Sequence, residues 1–256
     1  MSNMTDQFKN ASKKAVILLG MSGAGKTHIS SLLQDWGWDV YSCDFEIGDK
    51  YLSDEIGCEG KFTMDDISLL SDYLGKIGDP EKGGFTLEKF KARQKAYYDA
   101  EIASLYAAVD IVGAAKGHFV LDTTGSLCEL EDEKLMKKLG EKAVFVYLKA
   151  GEEAEKAVLQ RAQDYPKPLF YPSAFLTEKL DEFLSENDLG NTDEIDPDDF
   201  SRWVFPKLYE ARKPKYQKLA DKYGVSIDSD EFKDLKSSSE FIEILEHYID
   251  EYFEAA

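Results

Sequence analysis

A chain of 256 residues, 43% hydrophobic and 32% charged, can bury a core and is long enough for one large domain with an insertion. Lysine and arginine number 31 against 50 aspartates and glutamates, a formal net charge of −19. Such a surface repels a nucleic-acid backbone and an anionic lipid face. Broad nucleic-acid binding and membrane binding are therefore excluded, and a local basic pocket is still allowed. Cys43, Cys58 and Cys128 are widely spaced and form no C-x-x-C pair. Neither a disulfide framework nor a zinc site is expected, and a reducing, cytoplasmic setting is.

In chain order, residues 1–13 are polar and aperiodic and are expected to be a flexible tail. Ala15-Val16-Ile17-Leu18-Leu19 is a continuous apolar run, the pattern of a strand buried on both faces. From Lys26 the pattern becomes helical, with Ile29, Leu32, Leu33 and Trp36 on one side. Val40–Asp44 reads as a second strand closed by Asp44, and 45–77 as two helices broken near Gly57 and Gly60. A long helix is expected at about 87–112, and further strands at Phe119–Asp122, Ala143–Leu148 and Val225–Asp228. A last helix is expected at about 239–254. Strands alternating with helices predict an α/β fold: a five-stranded, mainly parallel sheet with helices on both faces and a helical insertion. Residues 14–150 and 205–256 are assigned to the core, and 151–204 to a lid and acidic insertion. Residues 178–199 carry ten acidic side chains and one lysine, read as a solvated loop with a partner-binding role as the rival. Asp196-Pro197 looks like a helix N-cap with proline at N1, and Pro214 predicts a kink or a helix start.

The chemistry concentrates at Gly20-Met21-Ser22-Gly23-Ala24-Gly25-Lys26-Thr27, which matches G-x-x-x-x-G-K-[ST] between a strand and a helix. In that setting Gly20, Ser22, Gly23, Ala24 and Gly25 turn backbone N–H groups around an anion. The helix start adds the positive end of its dipole, Lys26 a point charge for the β- and γ-phosphates, and Thr27 a hydroxyl for Mg²⁺. ATP and Mg²⁺ are the cofactors implied. Asp122, at the end of the third strand, occupies the place of the Mg²⁺-holding Walker B aspartate, with an Asx-turn as the other reading. The small residues after it, Thr123-Thr124-Gly125-Ser126, would let a substrate approach the backbone at Gly125. Asp44 could orient or deprotonate an acceptor hydroxyl, or simply cap the next helix.

With these residues the chain resembles the shikimate-kinase-like branch of P-loop kinases. The likeness rests on the loop at 20–27, Asp44, the glycine-containing turn after the third strand and Arg212-Lys213-Pro214-Lys215-Tyr216 followed by Ala220, similar to R-x-P-x-Y-x-x-x-A. It implies a P-loop NTPase three-layer fold and an ATP:alcohol phosphotransferase with a small, hydroxylated, anionic substrate. Asp44 and Lys26 are then catalytic, as is Lys167 on a mobile lid where the family has arginine. Arg161 is implied near the adenine and Arg212 at an anion of the acceptor. The chain departs from the family at Ser42, where an aspartate is usual, and at Thr124-Gly125-Ser126, where three glycines are. A substrate arginine of the long helix has no clear match: Tyr98 holds its place and Arg93 lies about a turn and a half away. Tyr97 and Tyr98, as base-stacking rings, keep a nucleoside or nucleotide kinase as an alternative. A nucleotide-binding regulatory module with little transfer activity is the other.

Overall fold

The computed structural model describes residues 8–58 and 61–254. Most of the expected tail, and Gly60, lie outside them. Phe8 does not belong to a frayed end: it is buried among sheet and helix side chains. Five strands form one all-parallel sheet: β1 (Ala15–Leu19), β2 (Asp39–Ser42), β3 (Phe119–Asp122), β4 (Val144–Lys149) and β5 (Gly224–Asp228). Their order is β2-β3-β1-β4-β5. The eight longer helices among the described residues are α1 (Lys26–Asp35), α2 (Ser68–Leu74), α3 (Leu87–Ala114), α4 (Glu133–Gly140), α5 (Glu152–Asp164), α6 (Ser173–Glu186), α7 (Pro197–Tyr223) and α8 (Ser238–Glu254). With the glycine-rich loop after β1 and connections that leave β1 and β3 in opposite directions, this is a P-loop α/β fold.

The chain divides into two compact units. One comprises the described residues up to Cys43, Ser104–Glu155 and those from Arg212 onward; the other comprises Asp44–Ala103 and Lys156–Ala211. The first holds the whole sheet. Alternate strand residues Val16, Leu18, Val120, Val144, Val146 and Val225 face one side, against Ile29 and Leu33 of α1 and Phe241, Leu245 and Ile249 of α8. On the other side Phe145 and Tyr147 meet Tyr223 and Tyr216 of α7, and Tyr41 donates its hydroxyl to the Ser104 carbonyl of α3. Burial on both faces is what the continuous apolar runs required.

The second unit has two apolar clusters. Ile47, Leu52, Leu70, Tyr97, Ala100 and Phe170 make one; Phe90, Tyr171, Leu176, Phe183, Phe200 and Leu208 are in the other. Residues 169–208 thus pack with 44–103, whereas the sequence reading had set 44–103 in the core and 151–204 apart as a lid. The buried amide of Gln94 secures the junction, donating to the Leu169 carbonyl at 3.1 Å and accepting from the Tyr171 N–H at 2.8 Å. The acidic stretch is only partly a loop: its two ends lie in α6 and α7, and 187–196 is the turn-rich connection between them. Its apolar residues Leu180, Phe183 and Ile195 are buried, and its carboxylates pair outward with Lys76, Lys82, Lys179, Arg202 and Lys207. The Asp196 carboxylate accepts from the N–H groups of Asp198 and Asp199, the expected cap of α7.

Two expectations give way. Pro214 starts no helix: α7 begins at Pro197 and runs through both Pro206 and Pro214. Its residues 200, 204, 208, 212, 216 and 220 form a stripe at four-residue spacing, every one nearly inaccessible, and packing of that stripe outweighs the missing N–H donors. Strand β2 ends at Ser42, so Asp44 does not close a strand. It lies in a helical turn, Cys43–Glu46, that runs straight into a wider turn, Ile47–Tyr51.

Candidate active site

The loop between β1 and α1 is shaped by glycines at positive φ. Gly20 has φ 144°, and a β carbon there would come within 3.0 Å of the Leu148 carbonyl of β4. Gly25, at φ 92°, is the residue before α1. Ser22 and Gly23 are exposed at the crest, and Ala24 and Gly25 half-buried. The Lys26 side chain folds back under them: its Nζ donates to the carbonyls of Gly20 at 2.7 Å and Met21 at 3.1 Å. A cation is thereby held inside the loop at the N-terminus of a ten-residue helix.

Asp122 ends β3, which pairs directly with β1. The residue is 4% exposed. Ser30 Oγ lies 3.2 Å from its Oδ2, and the Thr27 hydroxyl is near enough to favour the charged carboxylate. Oδ1 is buried with no hydrogen-bond partner. Burial pushes the carboxyl above its ordinary pKa, against the pull of the Lys26 charge and the two hydroxyls. A buried acceptor without a donor, next to a hydroxyl and an anion-binding loop, fits a hard divalent cation.

The turn after Asp122 lies against the loop. Thr123 donates to the Leu18 carbonyl of β1 at 2.7 Å, and a β carbon on Gly125 would sit 3.1 Å from the Ser22 nitrogen. Gly125 is therefore needed for close approach. Its carbonyl accepts from Arg212 Nη1 at 2.8 Å and from the Tyr216 hydroxyl at 2.6 Å. Arg212 is 2% exposed, and its Nε donates to Glu129 at 3.0 Å. The structure thus brings together the loop, Asp122, Gly125 and Arg212, which the sequence holds up to 192 positions apart. Burial pushes the neighbouring Cys128 thiol up to about 12, so it is no nucleophile at neutral pH.

Asp44, Arg161 and Lys167 belong to the other unit. Asp44 is half-buried, Arg161 is exposed on the last turn of α5, and Lys167 is exposed in the irregular segment before Phe170. Ser30 and Glu129 were not singled out from the sequence. Ser30 is three residues beyond Thr27 on one helix, a spacing that puts both hydroxyls on one side; Glu129 carries no such signal.

No protein-family model matches the chain, and no curated protein matches it. Among solved structures it is similar to a shikimate kinase from Acinetobacter baumannii in complex with shikimate, at 15% identity over 96% of this chain and 98% of that one, with a TM-score of 0.47. A shikimate kinase from Bacteroides thetaiotaomicron is similar at 14% identity over 94% and 98%, with a TM-score of 0.45. A gluconokinase from Sinorhizobium meliloti is similar at 15% identity over 95% and 98%, with a TM-score of 0.37. Likeness of this degree does not assign a reaction.

Proposed function

We propose that the protein is a small-molecule kinase that transfers the γ-phosphoryl group of ATP to a hydroxyl of a small polar metabolite, with Mg²⁺. The observation that carries this is the group Lys26, Thr27 and Asp122. An ammonium sits inside a glycine loop, and beside it a buried carboxylate keeps one oxygen without a donor. Thr27 and Asp122 would hold Mg²⁺, which when bound neutralises charge on the β- and γ-phosphate oxygens. The loop amides and Lys26 bind and orient the phosphates, so catalysis is mainly positioning and charge stabilisation.

Asp44 is the general base of this reading. Its carboxylate takes the acceptor's hydroxyl proton as that oxygen bonds to the γ-phosphorus. The bridging bond to the β-phosphate breaks, and its electron pair leaves with ADP. By the resemblance, Arg161 lies near the adenine, and Lys167 meets the transferring phosphoryl group from a lid. Because 169–208 packs in an apolar core, that lid is the shorter segment 152–168. By the same resemblance Arg212 would meet an anion of the acceptor, and Gly125 would let the acceptor approach the backbone. The hydroxyl follows from Asp44; an anion on the acceptor rests on Arg212 alone, whose Nε and Nη1 already serve Glu129 and Gly125.

ADP release over a panel of sugars, cyclic polyols, hydroxy acids and nucleosides tests the proposal. Stimulation by a polyol, sugar or hydroxy acid supports it. Stimulation by nucleosides alone replaces it with a nucleoside kinase, and tight ATP binding with no stimulation replaces it with a nucleotide-binding module. Asp44→Asn should keep ATP·Mg²⁺ affinity and lower acceptor phosphorylation about 10²- to 10⁴-fold. Full activity in that variant removes Asp44 from the chemistry.

A further inference from the structure

Glu129 belongs to no motif in the chain. It closes the short turn Leu127–Glu129 that follows Thr124–Ser126, and its side chain is 1% exposed. A carboxylate so far from water has to be paired. One oxygen accepts from Arg212 Nε at 3.0 Å, and the other accepts from Lys215.

Arg212 also reaches Gly125 and Met21. Nη1 donates to the Gly125 carbonyl at 2.8 Å and lies 3.9 Å from the sulfur of Met21. One turn on, the Tyr216 hydroxyl donates to the same carbonyl and lies 3.7 Å from the same sulfur. The Gly125 backbone lies so close to Ser22 that a β carbon on Gly125 would sit 3.1 Å from the Ser22 nitrogen. An unbroken series of contacts therefore leads from Glu129 through Arg212 and Gly125 to the second and third residues of the phosphate-binding loop.

We infer that Glu129 is a positioning residue for that loop. The inference rests on reading 20–27 as the ATP-binding loop. A guanidinium is a planar fork whose direction is set by the carboxylate it faces. With Glu129 in place, the fork points one N–H group at Gly125 and lays its edge on Met21. The Gly125 turn then supports Ser22 from below, and the loop amides keep the direction in which phosphates are bound. Without the carboxylate the guanidinium loses the charged acceptor of its Nε, its aim at Gly125 and Met21 is held less firmly, and the support of Ser22 weakens with it.

The test is calorimetric binding of ATP·Mg²⁺ and of Mg²⁺-pyrophosphate to the native protein, Glu129→Gln, Arg212→Met and the double variant. Circular dichroism and thermal unfolding establish the folded fraction of each. Glu129→Gln should weaken both ligands about five- to tenfold in fully folded protein, the size of a lost charge-assisted hydrogen bond. Arg212→Met should weaken them by a similar factor. The double variant should lose little more, because both changes cut one series of contacts. A purely structural role lowers the unfolding temperature and leaves the affinity of folded molecules unchanged. Affinity within twofold of native in folded Glu129→Gln, or losses that multiply in the double variant, overturns the inference. If Glu129→Gln does not fold, Glu129→Asp keeps the charge at a shorter reach and should still weaken both ligands; native affinity there overturns the inference equally. Native protein that binds no ATP·Mg²⁺ sinks the reading of the loop and this inference together. Native binding with unaltered variants sinks this inference alone.

Discussion

Lys26 and Asp122 show how much of the site is built before any ligand arrives. The lysine ammonium is satisfied by two carbonyls of its own loop. Replacing it with alanine should therefore cost little in the shape of the sheet and much in phosphate binding. At a ligand concentration a hundred times the dissociation constant, ATP·Mg²⁺ should stabilise the native protein by about 2.7 kcal/mol. Thermal unfolding with and without nucleotide measures this, and Lys26→Ala should lose most of the shift. An equal shift in the variant would mean that ATP binds elsewhere. Asp122 runs the other way. Its carboxyl is buried with one oxygen unpaired, and burial alone raises its pKa, so its charge is a cost to the empty fold. Asp122→Asn should be at least as stable as the native protein, by up to about 1 kcal/mol, while losing the Mg²⁺-dependent part of nucleotide binding. A variant that unfolds more easily yet binds ATP·Mg²⁺ as before would show Asp122 to be a structural turn residue.

At the scale of elements, local signals succeeded where one physical term dominates and failed where two compete. Strands β1 and β3 coincide with their apolar runs because nothing else explains four consecutive buried residues in each. The loop's glycines and the Asp196 cap were legible for the same reason: each residue type has one dominant use there. Pro214 was misread because its local cost was weighed without the buried stripe from Phe200 to Ala220, visible only when the helix is laid against its neighbours. Asp44 was placed one element early because Val40–Ser42 continues without a break into Cys43, and no glycine or proline marks where the strand stops. Glu129 could not be read at all, since its partner lies 83 positions away. One cap was missed although its pattern is local. The Asp132 side chain accepts from the Leu135 N–H at 2.9 Å at the start of α4. Asp132→Ala should cost about 1 kcal/mol of stability. The hydrogen bonds from the Leu135 N–H and the Tyr106 hydroxyl hold the Asp132 carboxyl below its ordinary value of 3.8. Its contribution is therefore fully present above that value and is lost as pH falls through the lower folded-state pKa. Denaturation of the pair at pH 7 and at about pH 3 should show the gap between native and alanine proteins narrowing in acid; a gap that widens would assign the stabilisation to something other than the cap.

The whole molecule carries a net charge of −19, and residues 178–199 hold a net −9 of it. The exposed ion pairs around that stretch, such as Lys82 with Asp196 and Arg202 with Asp199, each contribute between nothing and about 1 kcal/mol. They cannot offset the mutual repulsion of the carboxylates in excess, which acts over the Debye length of roughly 10 Å at 0.1 M salt. Screening should then help the fold more than it weakens the pairs. Raising sodium chloride from about 0.05 M to 0.5 M shortens that length to roughly 4 Å and should raise the unfolding temperature by a few degrees. A fall in unfolding temperature would mean that the ion pairs of the acidic helices outweigh the repulsion between their surplus charges. The same argument separates two effects of magnesium. Mg²⁺ alone should stabilise by screening, as calcium chloride at equal ionic strength does, and Lys26→Ala should keep that part. The increment from ATP added at constant Mg²⁺ should vanish in Lys26→Ala, because it comes from the loop and not from the surface. If calcium and magnesium chlorides differ strongly in the absence of nucleotide, the unpaired oxygen of Asp122 already selects a cation in the empty protein.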